Sequence, residues 1–113
     1  MNKDVKIPIL LDLYGKVLSK AQHEDLDSYY NHDLSLSEIA DNVSKSRQGV
    51  FDSIKRAELI LTKMESKLGF LRKIDKMKSD FKSIEKIIEN IQNKANKNSD
   101  LESILKITAK YSE

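Results

Sequence analysis

The chain has 113 residues, enough for one domain or for a small domain with a helical extension. It contains no cysteine, which excludes disulfides and cysteine-ligated zinc sites and is typical of a protein of the reducing cytoplasm. Three glycines and one proline favour long helices over many short strands, and no stretch approaches 18 uncharged apolar residues. We therefore expect an all-α cytoplasmic protein without a membrane span.

The first helix is predicted from about Ile7 to Leu18, because Pro8 suits a position in the first helical turn. Its apolar side chains recur at spacings of three and four and form one face: Leu10, Leu13, Tyr14, Val17 and Leu18. Gly15 interrupts this segment and should weaken the helix by about 1 kcal/mol relative to alanine.

Two capping boxes mark the starts of the next two helices. Ser19 precedes Gln22 by three residues, and Ser35 precedes Glu38 by the same interval. In such a pair, each side chain bonds to the backbone N–H of the other residue. We predict a second helix after the first box and a short third helix, about Leu36–Asn42, after the second.

A long fourth helix is predicted to follow a very short corner. Ser46 is its expected cap, because one helix face then carries apolar residues at spacings of 4, 3, 4, 3 and 4. These residues are Val50, Ile54, Ala57, Leu61, Met64 and Leu68. Gly69 follows, where a left-handed glycine can end a helix. Two helices joined by so short a corner predict a helix-turn-helix.

After Gly69 the apolar pattern becomes a heptad repeat, which predicts a long helix and then a short last one that begins near Ser99. The repeat consists of Phe70, Ile74, Met77, Phe81, Ile84, Ile88, Ile91 and Ala95. The chain thus divides into a helix-turn-helix unit, residues 1–68, and a helical C-terminal extension, residues 69–113.

The heptad stripe is apolar enough to need a partner. It can pack on the N-terminal helices, pair with the last helix as a hairpin, or form a homodimer. We favour the homodimer, in which the stripes of two chains bury each other. Its expected interface is formed by Phe70, Ile74, Met77, Phe81, Ile84 and Ile88.

In a helix-turn-helix, the second helix buries one stripe and presents the opposite face to base edges. With Val50 and Ile54 directed inward, this face and its flanks carry Arg47, Gln48, Phe51, Asp52, Lys55 and Arg56. Glutamine can pair with adenine, and the cations can pair with guanine or phosphate. Asp52 opposes phosphate, however, and the same mixture of charges is also typical of a solvated helix face.

Three blocks carry a resemblance to known proteins: "YY" at Tyr29–Tyr30, "SLSEIA" at Ser35–Ala40 and "SRQGVFDSIKRAE" at Ser46–Glu58. They are similar to the helix-turn-helix of region 4 in bacterial sigma factors, and more similar to the YlxM family of small bacterial proteins. The resemblance covers about Leu10–Leu68. It departs at residues 44–45, where sigma-like versions usually have glycine and an apolar residue, and at Gly49, where alanine is expected.

The resemblance implies a fold typical of DNA-binding regulators, although the YlxM family itself is associated with the signal recognition particle pathway. The pathway's GTPase or RNA are then the expected partners, and duplex DNA is the alternative. Residues 1–43 hold four basic and eight acidic side chains, whereas residues 44–56 hold four basic side chains and one acidic. Because phosphate contacts supply most of the affinity for DNA, so small a basic patch favours the accessory role over a dimeric DNA-binding transcriptional regulator. A purely structural helical adaptor is a third interpretation.

Enzymatic motifs are missing from this sequence. It has neither a glycine-rich phosphate loop nor a nucleophile elbow. His23 and His32 are too far apart in sequence, and too poorly accompanied, to indicate a metal site. We expect a protein without catalytic activity, cofactor or metal.

Overall fold

The computed structural model describes residues 3–94 and 99–112, which form six α-helices, one 3₁₀ turn and no strand. The helices are α1 (Ile7–Tyr14), α2 (Lys20–Asn31), α3 (Leu36–Val43), α4 (Arg47–Leu68), α5 (Phe70–Lys94) and α6 (Ser99–Ala109), and the 3₁₀ turn is Gly15–Val17. The expected all-α class is therefore confirmed. The chain divides into two compact units, Met1–Leu71 and Arg72–Glu113.

Helix α4 is the central element of the first unit. Its inner face carries Val50, Ile54, Ala57 and Leu61, which are completely buried against α1, α2 and α3. Met64 continues this face and is half-buried, whereas Leu68, the last residue of the predicted stripe, is 41 % exposed.

The first helix is shorter than predicted, because α1 ends at Tyr14 and the chain continues as a 3₁₀ turn. Val17 is consequently exposed and does not extend the apolar face. A Cβ on Gly15 would lie only 3.1 Å from a ring carbon of His23 and 3.2 Å from a methyl group of Leu11. A glycine at this position allows α1 and α2 to approach closely.

Both predicted capping boxes are present. The Ser19 hydroxyl accepts from the Gln22 N–H at 3.2 Å, and the Gln22 side chain accepts from the Ser19 N–H at 3.1 Å. Ser35 and Glu38 form the same reciprocal pair, with both distances 3.1 Å. These caps satisfy backbone donors that the first turn of a helix leaves without partners.

Gly69 has a left-handed conformation, with φ of 65°, and ends α4 as predicted. The next helix is capped by side chains of the first unit. The Glu65 carboxylate accepts from the Leu71 N–H at 2.9 Å and from the Tyr14 hydroxyl at 2.8 Å, while that hydroxyl accepts from the Phe70 N–H at 3.2 Å. The rings of Tyr14 and Phe70 stack with centroids 5.8 Å apart. The start of α5 is thus held by α1 and α4.

In the second unit, α6 folds back on α5 as an antiparallel hairpin. The ring of Tyr111 stacks on Phe81 with centroids 5.3 Å apart, and the Ser112 hydroxyl donates to the Glu85 carboxylate at 2.9 Å. Ile88 is buried, whereas most of the other predicted heptad residues of α5 are exposed. Ala95, the last residue of the predicted repeat, lies outside the described residues. None of the helices in the described ranges is both long and apolar enough to cross a membrane.

A helix-turn-helix face as the candidate interface

Helices α3 and α4 are joined by three residues, Ser44 to Ser46, which form the corner of a helix-turn-helix. Ser44 ends α3 in the left-handed conformation (φ 55°, ψ 43°), and the Lys45 N–H returns to the Ala40 carbonyl at 3.1 Å. Ser46 caps α4 as predicted, because its hydroxyl accepts from the Gly49 N–H at 2.9 Å. The left-handed conformation of a serine lowers the free energy of unfolding by about 1–2 kcal/mol, so this corner destabilises the unit slightly.

Five of the six side chains predicted for the reading surface are exposed on the first three turns of α4. We refer to them as the α4 face: Arg47, Gln48, Asp52, Lys55 and Arg56. The sixth, Phe51, is half-buried and packs against the core, with the Lys55 ammonium 5.7 Å from its ring centroid. Phe51 therefore packs between the α4 face and the core and is less accessible to a partner than the five exposed side chains.

The positive charge of this region is smaller than the residue count indicates. Lys55 lies 3.5 Å from a carboxylate oxygen of Glu58, and Lys45 lies 3.3 Å from one of Asp25. Asp52, whose carboxylate accepts a hydrogen bond from Gln48 at 3.0 Å, adds an acidic side chain to the same face. By contrast, neither Arg47 nor Arg56 forms an ion pair with any residue that the structure describes. The two guanidinium groups are the available cations of the face.

The pairing of Lys45 with Asp25 was not anticipated from the sequence. Asp25 lies on α2 and is only 1 % exposed, so the lysine of the corner supplies the counter-charge for a buried carboxylate. Its burial follows the helical spacing, since Asp25 precedes the buried Tyr29 on α2 by four residues. Its partner could not be inferred, because the two residues are 20 positions apart.

A cleft of about 360 Å³ opens beside the α4 face, between α2 and α4. It is lined by Gln22, Lys45, Gly49, Asp52, Ser53 and Arg56. Gln22 and Ser53 are residues that reasoning from the sequence did not place near the site. Because Asp52 contributes a carboxylate to this lining, the cleft has both charges and is not a dedicated anion site.

Glu58 links α2 to the α4 face. Its carboxylate accepts from the Tyr30 hydroxyl at 2.7 Å and also holds Lys55. Burial of the Tyr30 hydroxyl raises its pKa well above the usual value, and the hydrogen bond to Glu58 raises it further. Tyr29 is buried and Tyr30 half-buried, since adjacent residues of a helix do not face the same way.

No group of three or more histidine, cysteine or acidic side chains within residues 3–94 and 99–112 is arranged to hold a metal ion. His32 instead lies 3.3 Å from a carboxylate oxygen of Asp27 on the same turn of the chain. His23 lies against Gly15. Both histidines thus have structural neighbours in the first unit.

Comparison with known proteins agrees with this geometry. The family model described as "UPF0122: Putative helix-turn-helix protein, YlxM / p13 like" matches residues 1–110. A UPF0122 protein of Acetivibrio thermocellus is 46% identical over 91 residues, which cover 80% of this chain and 78% of the relative. Relatives of the same name in Clostridium kluyveri and Fusobacterium nucleatum are each 40% identical, over 96 and 100 residues. These alignments cover 85% and 80% of this chain and 86% and 97% of the relatives. The chain belongs to the UPF0122 family of YlxM / p13-like helix-turn-helix proteins.

Proposed function

We propose that this chain is a non-enzymatic accessory or regulatory protein of the signal recognition particle pathway. In this role it acts in the cytoplasm and docks on the pathway's GTPase or RNA through the α4 face. The pathway is suggested by the resemblance to the YlxM family. The docking surface is suggested by one observation, namely that Arg47 and Arg56 are exposed on the first turns of α4 and have no acidic partner among the described residues.

The charges around the corner favour such a partner over duplex DNA. Of the four cations in residues 44–56, Lys45 and Lys55 are paired with carboxylates, and Asp52 lies among the exposed side chains. Two available guanidinium groups would give a dependence of log K on log salt with a slope of only about −2 for duplex DNA. A protein that makes about 6–10 phosphate contacts has a slope of about −5 to −9 instead. An arginine pair suits a smaller anionic target, since guanidinium groups bind carboxylates and phosphates in a bidentate manner.

The first test is capture of partners by the tagged chain from a bacterial lysate, with and without nuclease. Retention of the pathway's GTPase after nuclease treatment supports direct docking on protein, whereas retention of its RNA without the GTPase supports docking on RNA. The captured partner is then titrated with purified parent chain and charge-reversal variants. Failure to retain either the GTPase or the RNA under both conditions would overturn the proposal.

The charge-reversal series has a matched control on the same helix. Arg47→Glu and Arg56→Glu should each weaken binding at least tenfold, because each replaces an available cation with an anion. Lys63→Glu makes the same charge change on an exposed residue of α4, 16 residues and thus about 24 Å beyond Arg47 along the helix. It should leave the affinity within about twofold. Equal effects of all three variants would mean that net charge, and not the α4 face, controls binding.

The alternative function is a dimeric DNA-binding transcriptional regulator. The geometry of the corner favours it, because a three-residue turn and a serine-capped second helix are the parts of a DNA-reading helix-turn-helix. This function predicts recovery of DNA in the capture experiment and loss of co-purifying proteins after nuclease treatment. It also predicts a specific duplex with a steeper salt dependence than about −2, which Arg47→Glu would flatten.

A further inference from the structure

The α5–α6 hairpin has an inner seam, along which the two helices touch, and this seam is poor in apolar contacts. In the described part of Arg72–Glu113, Ile88 is the only hydrophobic residue that is buried; the other buried side chains are those of Thr108 and Ser112. The seam also contains Gln92, whose amide nitrogen is buried without an acceptor in the described residues. A unit of this size with so small an apolar core needs additional contacts to be stable.

Helix α5 has a second apolar seam beside the first. With a heptad spacing, the side that touches α6 contains Phe81, Glu85 and Ile88. Thr108 of α6 is buried in the hairpin, and Ser112, just after α6, bonds to Glu85 of α5. Six large aliphatic side chains of the two helices are between 41 % and 59 % exposed and form what we term the outer seam: Met77, Ile84, Ile87, Ile91, Ile104 and Ile107.

The two halves of the outer seam lie on the same side of the hairpin. Successive residues of a helix are about 100° apart around its axis, so in α5 and in α6 the outer seam lies about 90° around the helix axis from the inner seam. Viewed along the chain direction, this rotation has the same sense in both helices. Because α5 and α6 run in opposite directions and touch along their inner seams, these equal rotations bring both halves of the outer seam to the same face of the hairpin. Each helix therefore has one seam for its neighbour and one for a further layer, the pattern of helices in a four-helix bundle.

We propose that the outer seam binds the outer seam of a second copy of this chain, so that two hairpins close into a four-helix bundle. The area supports this occupant. Six side chains, each about half exposed, present on the order of 600 Å² of apolar surface, most of the roughly 800 Å² that each partner of a stable interface contributes. A two-fold axis through this face pairs each hairpin with an identical one and covers the outer seams of both chains.

This interface differs from the one expected from the heptad pattern alone. Phe81 and Ile88 of the expected set pack within the hairpin, and Phe70 stacks on Tyr14 in the first unit. The proposed contact shifts instead toward Ile87 of α5 and Ile107 of α6. It concerns the second unit and is independent of what the α4 face binds.

Sedimentation equilibrium of the full chain at about 10–100 μM tests this proposal. We expect twice the chain mass of 13.0 kDa for the parent and the mass of one chain for Ile87→Asp combined with Ile107→Asp. Asn93→Asp is the control on α5, because it adds one negative charge, as Ile87→Asp does, to an exposed position on the opposite side of the helix and should leave the dimer intact. A monomeric parent at 100 μM would overturn the proposal, as would a dimeric double variant.

A second measurement needs no substitution and so does not depend on how a variant folds. Met77 belongs to the outer seam and is 55 % exposed in a single chain. Its oxidation by dilute peroxide, followed by mass spectrometry, should slow at least threefold between concentrations at which the chain is monomeric and dimeric. Met64, half-buried in the first unit, should oxidise at the same rate at both concentrations. A Met77 rate that is unchanged while the mass doubles would place the dimer contact elsewhere.

Discussion

Replacing Lys45 with methionine should destabilise the helix-turn-helix unit far more than the loss of a surface lysine normally does. The ammonium group of Lys45 lies 3.3 Å from a carboxylate oxygen of Asp25, which is 1 % exposed on α2. Methionine keeps most of the aliphatic stem but removes the charge. The variant therefore leaves a buried carboxylate without its counter-ion.

The magnitude follows from the separation and the burial. At 3.3 Å the two charges attract each other by about 5 kcal/mol at an effective dielectric constant of about 20. Much of this attraction offsets the cost of removing the carboxylate from water. Losing one partner of a fully buried pair costs about 3–5 kcal/mol. Because the Lys45 side chain is 38 % exposed, so that water can reach the vacated site, we expect a loss of about 2–3 kcal/mol.

Urea unfolding followed by circular dichroism measures this loss, and two further variants calibrate it. Lys20→Met removes one partner of an exposed pair, in which Lys20 lies 3.9 Å from Glu24, and should cost less than about 0.5 kcal/mol. Combining Lys45→Met with Asp25→Asn removes both charges and should recover at least about 1 kcal/mol relative to Lys45→Met alone. If Lys45→Met costs no more than Lys20→Met, the ion pair does not stabilise the buried carboxylate and the reasoning is refuted.

Three further predictions concern the corner, the α2–α4 contact and the start of α5. Ser44→Gly should stabilise the first unit by about 0.5–1 kcal/mol in urea unfolding, because glycine adopts the left-handed conformation of this position without strain. The control Ser37→Gly inside α3 should destabilise the unit by a similar amount. If Ser44→Gly destabilises the unit, the strain argument is contradicted. The pKa of Tyr30 is higher in the folded chain than the usual value near 10, so the stability that this tyrosine contributes is complete below pH 10 and is lost as the pH rises above 10. The free energy of unfolding should therefore fall less steeply above pH 10 in Tyr30→Phe than in the parent. Glu65→Ala removes the acceptor of the Tyr14 hydroxyl and the Leu71 N–H and should lower Tm by an amount equivalent to about 2 kcal/mol. Glu65→Gln keeps a carbonyl acceptor and should lose less than half as much stability. Equal losses in the two variants would rule out a capping role for Glu65.

The sequence by itself determined the elements whose signals are local. Ser19 and Ser35 predicted the starts of α2 and α3 because a capping box needs only residues three positions apart. Gly69 predicted the end of α4 for the same reason. The inner face of α4 was readable as well, since a helix repeats every 3.6 residues and its buried side chains recur at that period. Together these features predicted the helix-turn-helix.

Tertiary structure alone decided which of the predicted surface charges are available. The sequence places Lys45 and Lys55 beside Arg47 and Arg56, but only the folded chain pairs the first two with carboxylates. In the same way, only the folded chain places the His23 ring beside Gly15, where an added Cβ would lie 3.1 Å from a ring carbon. Such pairings join residues that are distant in the chain, so no local pattern records them.

The heptad stripe of α5 illustrates both sides of this division. Its periodicity predicted a long helix with an apolar face, and α5 is such a helix. Which part of that face stays open was decided by the segment that folds back on α5. Directly after α6, Tyr111 and Ser112 reach Phe81 and Glu85 on one side of the stripe and leave Ile84 exposed on the other. Periodicity is a property of one helix, whereas the choice of a partner for each side depends on how the chain folds back on itself.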